Sequence, residues 1–312
     1  MKRHAYLIIA HDKFEQLKYL ISLLDDARND IFIHVDKKAN ISDQTLEDLQ
    51  NATKYSSVYL TPRLAVHWGD YSQIECELTL FETATQTDTY AMYHLISGVD
   101  LPLVSQDKIH DFFADKLDKI FITRNQVDFE KTKLYKLVEH YHLTTKISAR
   151  DLSKPAQKLL RAYRILENKV QTALKIDRLN GHRAEWGLDS YSNWKSCNHQ
   201  TLLTVLAERP FLEKHFRHSY IADEMYFPLV LKRSGLIGNI FHYQPSKDIP
   251  DEFQGNLRYI NWWKGSPYTW TDSAEDLAQL DQGIALGHLF SRKFDLEKYP
   301  KVKDYIDQNV KH

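Results

Sequence analysis

An acidic pair, Asp223-Glu224, stands in a chain rich in tryptophan and tyrosine. A carboxylate placed against an attacking hydroxyl can take its proton, and the flat face of an indole suits the apolar face of a pyranose. The 18 tyrosines and 6 tryptophans fit a large aromatic core as well as a saccharide site, and composition alone does not choose. Moving a sugar away from a nucleoside diphosphate needs, besides a base, positive charge where the diphosphate departs. Many enzymes of that kind hold a divalent cation with Asp-x-Asp. This chain has no Asp-x-Asp anywhere, which is awkward for a metal-dependent enzyme although Asp-x-His and single-Asp sites exist; no metal ion and no other cofactor is expected. Glu139-His140-Tyr141-His142 offers two histidines of ligand type, but alternate positions diverge on a helix and no third ligand is evident. A glycine-rich phosphate loop and a Gly-x-Ser-x-Gly elbow are both missing, which argues against P-loop kinases and α/β-hydrolases.

The elements that must position these groups follow from the hydrophobic pattern. Tyr6 to Ala10, Asp30 to Val35, Val58 to Leu60 and Ala91 to Ile96 are apolar runs of strand length. Between them, Phe14 to Leu24 has leucines at helical spacing, Ser42 to Asn51 starts on a good N-cap, and Ser72 to Thr85 reads as a third helix. Such alternation over roughly the first 120 residues describes an α/β fold with a parallel sheet, whose ligands sit beyond the C-terminal strand ends. Asp36, Trp68 and Asp100 fall there or in the adjoining loops.

Partner and compartment are bounded more loosely. A formal net charge of −1 removes the motive for a nucleic-acid partner. Cys76 and Cys197 are far apart and lack metal-ligand spacing, which suits a reducing compartment. The apolar run ending at Ala10 continues into His11-Asp12-Lys13 rather than a cleavage site, and no later stretch approaches the ~20 apolar residues that span a bilayer. The expectation is a cytoplasmic protein without its own membrane anchor. One segment stands apart: residues 152–177 read as helical and carry Lys154, Lys158, Arg161, Arg164, Lys169 and Lys175 against few acids. This is either a solvated helix face or a patch for peripheral contact with an anionic lipid surface at the inner face of the membrane, or with a diphosphate-linked acceptor.

Taken in order, the motifs resemble the core-2/I-branching β-1,6-N-acetylglucosaminyltransferase family, which includes the peptide xylosyltransferases. The block His4 to Leu24 leads to Ile33-His34-Val35-Asp36-Lys37-Lys38, then Trp68-Gly69-Asp70-Tyr71-Ser72, then Leu95 to Leu103 with Ser97, Asp100 and Pro102 in the family's places. Ser192-Asn193-Trp194 follows, with Tyr191 where glycine is expected, and Ala222-Asp223-Glu224, with alanine in place of proline. Leu257 to Trp262 and Leu289 to Asp295 complete the series.

The resemblance implies a GT-A-like glycosyltransferase fold with a Rossmann-like nucleotide-binding half. Residues 1–120 would bind the nucleotide-sugar, and 121–312 would bind the acceptor and catalyse, in one continuous packed unit. It implies inverting, metal-independent transfer from a UDP-sugar to a hydroxyl of a glycan, glycoprotein or lipid-linked saccharide. GlcNAc is the favoured donor sugar, with galactose, glucose and xylose open. Glu224 becomes the general base. Asp36, Trp68, Asp100, Arg292 and Lys293 fall on the donor side, with Lys293 as diphosphate ligand. Ser192, Trp194, Arg258 and Trp262 fall on the acceptor side. No arginine lies between the Trp262 block and Leu289, so a second diphosphate cation would come from Arg258, Lys264 or backbone amides ahead of Ser273. Two alternatives remain, a non-catalytic carbohydrate-binding protein of the same fold and a metal-dependent transferase. The lack of a disulfide pattern and an anchor points to a bacterial-type enzyme of capsule, exopolysaccharide or glycoprotein glycan synthesis.

Overall fold

A computed structural model describes residues 2–265 and 267–311, with the side chains of Glu130 and Arg150 left aside. Its strands are β1 (His4–Ala10), β2 (Asn29–Val35), β3 (Ser57–Leu60), β4 (Met92–Ser97), β5 (Leu101–Pro102), β6 (Arg124–Asn125), β7 (Lys195–Cys197), β8 (Pro245–Ser246), β9 (Arg258–Ile260) and β10 (Phe290–Arg292). The main sheet runs β3-β2-β1-β4-β7. Its first four strands are parallel, with His4 opposite both Asn29 and Met92. Along β1 the side chains alternate between two cores. Ala5 and Leu7 join the one under helices Ser72–Thr87 and Tyr226–Arg233. Tyr6, Ile8 and Ala10 join the other, under helix Phe14–Leu24 and the C-terminal strands. Burial on both faces is why these strands read as continuous apolar runs. Ser42 caps helix Asp43–Gln50 as expected, accepting the Thr45 N–H at 3.1 Å. This mixed α/β architecture with a parallel-rich central sheet agrees with the α/β class read from the sequence pattern.

Three features depart from the sequence reading. The sheet is not confined to the first 120 residues, because β7 joins the edge of β4 antiparallel. This edge strand buries Lys195, whose ammonium is neutralised 2.6 Å from Glu77 of helix Ser72–Thr87, while Tyr226 donates to the same oxygen. A helix through Asp223-Glu224 would turn the two side chains ~100° apart; they lie instead in the turn ahead of helix Tyr226–Arg233. Arg258, expected on the acceptor side, is fully buried on β9. Its guanidinium donates to the carbonyls of Leu95, Lys195 and Asn256 and to the Ser196 hydroxyl. Burial lowers its pKa to about 10. Arg258 therefore clamps the main sheet to the β5-β10-β9 sheet, and its charge is committed to that joint.

Candidate active site

Glu224 is held from one side only. Ser190 donates its hydroxyl to Oε2 at 3.0 Å, and the Asn125 amide reaches the same oxygen at 3.5 Å. Among the described residues no hydrogen bond ends on Oε1. Asn125 also donates to Ser190 at 2.7 Å, and the Glu224 carbonyl accepts the Tyr191 N–H at 2.9 Å, so the two segments are laced together. Burial pushes the Glu224 carboxyl above the ordinary range, with the Ser190 bond pulling the other way. A carboxylate with one anchored oxygen and raised basicity suits proton abstraction.

Asp223 faces the opposite neighbour. It is buried, and burial followed by the charges of Glu224 and Glu77 raises its pKa to about 7. Gln73 donates to it at 3.2 Å, and the Gln73 carbonyl oxygen accepts the N–H of Gly69. Gly69 has φ +76°, and a Cβ there would lie 2.5 Å from the ring of Tyr220. Tyr220 in turn meets Trp68 edge-on, centroids 5.9 Å apart. Trp68 itself is 66% exposed, a large indole offered to solvent beside the turn that carries the acidic pair. The same 61–71 loop is tied to Asp36, whose carboxylate accepts the N–H groups of Lys38 at 2.8 Å and Val66 at 3.4 Å.

On the other flank, strand register assembles a second group. β5 runs antiparallel to β10, with Leu101 opposite Ser291, which brings Asp100 alongside Arg292. Arg292 Nε lies 3.4 Å from Asp100, and the guanidinium covers the Trp194 ring at 4.1 Å. Burial lowers the Arg292 pKa, with Asp100 opposing. Asp100 is buried and also accepts from the Ser97 hydroxyl and N–H. Ser192 accepts from Asn256 at 2.9 Å and from the Trp194 N–H at 3.3 Å. Ser190 to Trp194 thus connects Glu224 at one end to Arg292 at the other. β9 and β10 are parallel, with Ile260 opposite Arg292, so Trp262 and Lys293 leave the same end of that sheet. Trp262 is 39% exposed and Lys293 half-buried. Lys264, the other suggested cation, pairs with Glu275 at 2.6 Å.

Ser190, Asn125, Gln73 and Tyr220 were not singled out from the sequence. A weak signal existed for Ser190, two residues ahead of the Ser192 block. Asn193, Asp223, Asn261, Trp263 and Arg292 each hold a buried polar atom without a hydrogen bond among the described residues, and all five lie in these segments. No group of three or more His, Cys, Asp or Glu side chains suited to a metal ion occurs among the described residues.

The scaffold is mixed α/β with a parallel-rich central sheet, and the motif blocks that suggested a sugar transferase lie along it. The chain belongs to the Core-2/I-Branching enzyme family, whose model matches residues 4–281. That family is one of glycosyltransferases. Over 124 residues it is 27% identical to xylosyltransferase 2 of Canis lupus familiaris, of Rattus norvegicus and of Homo sapiens. That stretch covers 38% of this chain and 14% of each relative, so the chain matches a small part of those proteins' length. The crystal structure of mouse xyloside xylosyltransferase 1, apo form, aligns over 93% of this chain and 97% of that one. Its TM-score of 0.39 and 11% identity are too loose to build on.

Proposed function

We propose that the enzyme transfers a sugar with inversion from a UDP-sugar to a carbohydrate hydroxyl, without a metal ion. The observation that carries this reading is Glu224, anchored through Oε2 by Ser190 and made more basic by burial. The acceptor O–H gives its proton to Oε1 as its oxygen attacks the anomeric carbon. The bond from that carbon to the diphosphate oxygen breaks, and the UDP leaves with the electron pair. Lys293 neutralises the departing charge, and Arg292, fastened to Asp100 and Trp194, holds the strand end that presents it. Asp36 and Trp68 receive the uridine from residues 1–120, while Ser192, Trp194 and Trp262 shape the acceptor side within 121–312.

The sequence resemblance to N-acetylglucosaminyltransferases favours UDP-GlcNAc. The names of the xylosyltransferase relatives favour UDP-xylose as a second reading. The acceptor belongs to capsule, exopolysaccharide or glycoprotein glycan synthesis in the cytoplasm, with the basic segment keeping the enzyme near the membrane. Hydrolysis and transfer measured over a panel of UDP-sugars, with and without EDTA, tests the donor and the metal together. Activity that survives chelation supports the proposal. Loss in EDTA restored by Mn²⁺ or Mg²⁺ overturns the metal-free mechanism. In the same assay Glu224→Gln should keep UDP-sugar binding and lose ~10²–10⁴-fold in turnover.

A further inference from the structure

Helix Lys154–Ala173 is mounted inside out. With 100° between neighbours, Leu159, Tyr163, Leu166, Val170 and Leu174 form one stripe, and that stripe faces away from the protein. Leu159 is 73% exposed, Leu166 60% and Leu174 67%. The side turned inward is largely polar. Gln171 exchanges hydrogen bonds with the Tyr141 backbone at 2.8 Å in both directions, and Arg164 donates to the carbonyls of Thr144 and Ile147. Asn168 pairs with His140 at 2.5 Å. Leu160 is the one apolar side chain the helix buries. An ordinary surface helix does the reverse, so the outward stripe needs another occupant.

Charge selects among occupants. From Lys154 to Lys175 six cations face one acid, Glu167, a net +5 in a chain whose total is −1. Lys158 and Lys169 flank the stripe on one side, and Lys154 lies further round the helix. Beyond them a groove of about 630 Å³ is lined by Lys133, Lys136 and Lys169 together with Leu134, Leu137 and Ile165. A second copy would bring +5 against +5. An anionic bilayer supplies both the opposite charge and an apolar layer, the pairing that interfacial helices use.

We infer that this helix lies in the plane of an anionic lipid surface, its leucine stripe at the acyl boundary and its lysine groove over the headgroups. The inward side of the helix adjoins the candidate site. Arg164 lies 5.2 Å over the Tyr220 ring, and Thr145 donates to Asp70 of the Trp68 loop at 2.5 Å. Docking would therefore hold the donor-side rim close to the bilayer. This extends the proposed function by naming the surface at which the transferase works, but binding can be read without any transfer.

Flotation of the full chain with vesicles decides it. Vesicles of phosphatidylcholine with about one third phosphatidylglycerol should carry at least ~10-fold more protein than pure phosphatidylcholine at low salt, the excess falling as salt rises. The pair Leu159→Ser and Leu166→Ser, both at exposed positions, should cut the bound fraction by ~10-fold while circular dichroism and turnover on a soluble acceptor stay unchanged. Lys154, Lys158 and Lys169 changed together to Gln should remove the salt-sensitive part. The inference is overturned by wild-type protein that stays unbound with the anionic vesicles, or by serine variants that bind like wild type. It is equally overturned by a solution dimer, seen in sedimentation velocity, that the serine changes dissolve. If transfer fails on every donor while vesicle binding behaves as stated, the functional proposal falls and this one stands.

Discussion

Ser190 donates its hydroxyl to Oε2 of Glu224 across 3.0 Å, from 34 residues earlier in the chain. The bond ends on a buried carboxylate and leaves Oε1 unengaged among the described residues. It therefore does two things at once, fixing the orientation of the carboxylate and limiting how far burial raises its pKa. Any loss of the hydroxyl should separate those effects from the loss of the carboxylate itself.

Ser190→Ala should leave the base in place but remove the bond that favours its charged form. The Glu224 pKa then rises further, and since transfer needs the ionised carboxylate, the acid limb of kcat/KM should move to higher pH. At a pH well above that limb the loss should be modest, about 10-fold or less, because the carboxylate is intact. A pH profile identical to wild type would show that Ser190 does not touch the working base.

Much of the scaffold is legible because it is locally encoded. The runs around Tyr6, Ile31 and Leu95 are strands in place, and helix Phe14–Leu24 begins and ends where its leucine spacing does. What escapes local pattern is whatever depends on distant partners. Lys195 looks like a surface lysine until Glu77, 118 residues away, is folded against it. Arg258 looks like a ligand-facing cation until β4 and β7 bring the Leu95 and Lys195 carbonyls to it. Motif order singles out Glu224, Arg292 and Trp194 as candidates, whereas Gln73 reaches Asp223 across 150 residues and carries no motif of its own.

Gly69→Ala should disturb the Trp68 loop from its root. The new Cβ would sit 2.5 Å from the Tyr220 ring, on a backbone with φ +76°. Strain of that kind costs on the order of 1–3 kcal/mol, and Tyr220 can relieve the clash only by moving away from Trp68. The expected result is a lower melting temperature with weaker UDP binding by titration. Unchanged UDP affinity in a destabilised variant would remove Trp68 from the donor site.

Asp223→Asn should stabilise the protein, but only above acidic pH. The unfolded carboxyl releases its proton near 3.8, whereas the folded one holds it to about 7. Between those values the native state binds more protons than the unfolded state, so this group's contribution to stability falls as pH rises, and above about 7 its full cost is present. Wild type and variant should melt alike below about pH 4. At pH 8 the variant should melt higher, by about 2–4 °C for each kcal/mol recovered. Coincident melting at pH 8 would mean that the folded carboxylate pays no such cost.

Lys293 carries the last and most discriminating prediction. It follows β10 directly, and the parallel register that sets Arg292 opposite Ile260 sends Lys293 and Trp262 out of the same sheet end. Its backbone is fixed there, with the carbonyl accepting the Trp270 N–H at 2.9 Å and the N–H donating to Tyr268 at 3.3 Å. If this cation meets the departing diphosphate, whose charge grows as the sugar leaves, it stabilises the transition state more than the bound donor. Lys293→Ala should then reduce kcat by at least ~10-fold more than it weakens UDP-sugar binding, and should also weaken the UDP product. Lys293→Arg should restore part of the loss at most, because a planar guanidinium does not replace a compact ammonium. If the lysine serves only to shape the strand end, both variants should change kcat less than about twofold, and any loss should follow the melting temperature instead. Steady-state kinetics with UDP titration on the two variants separates these outcomes.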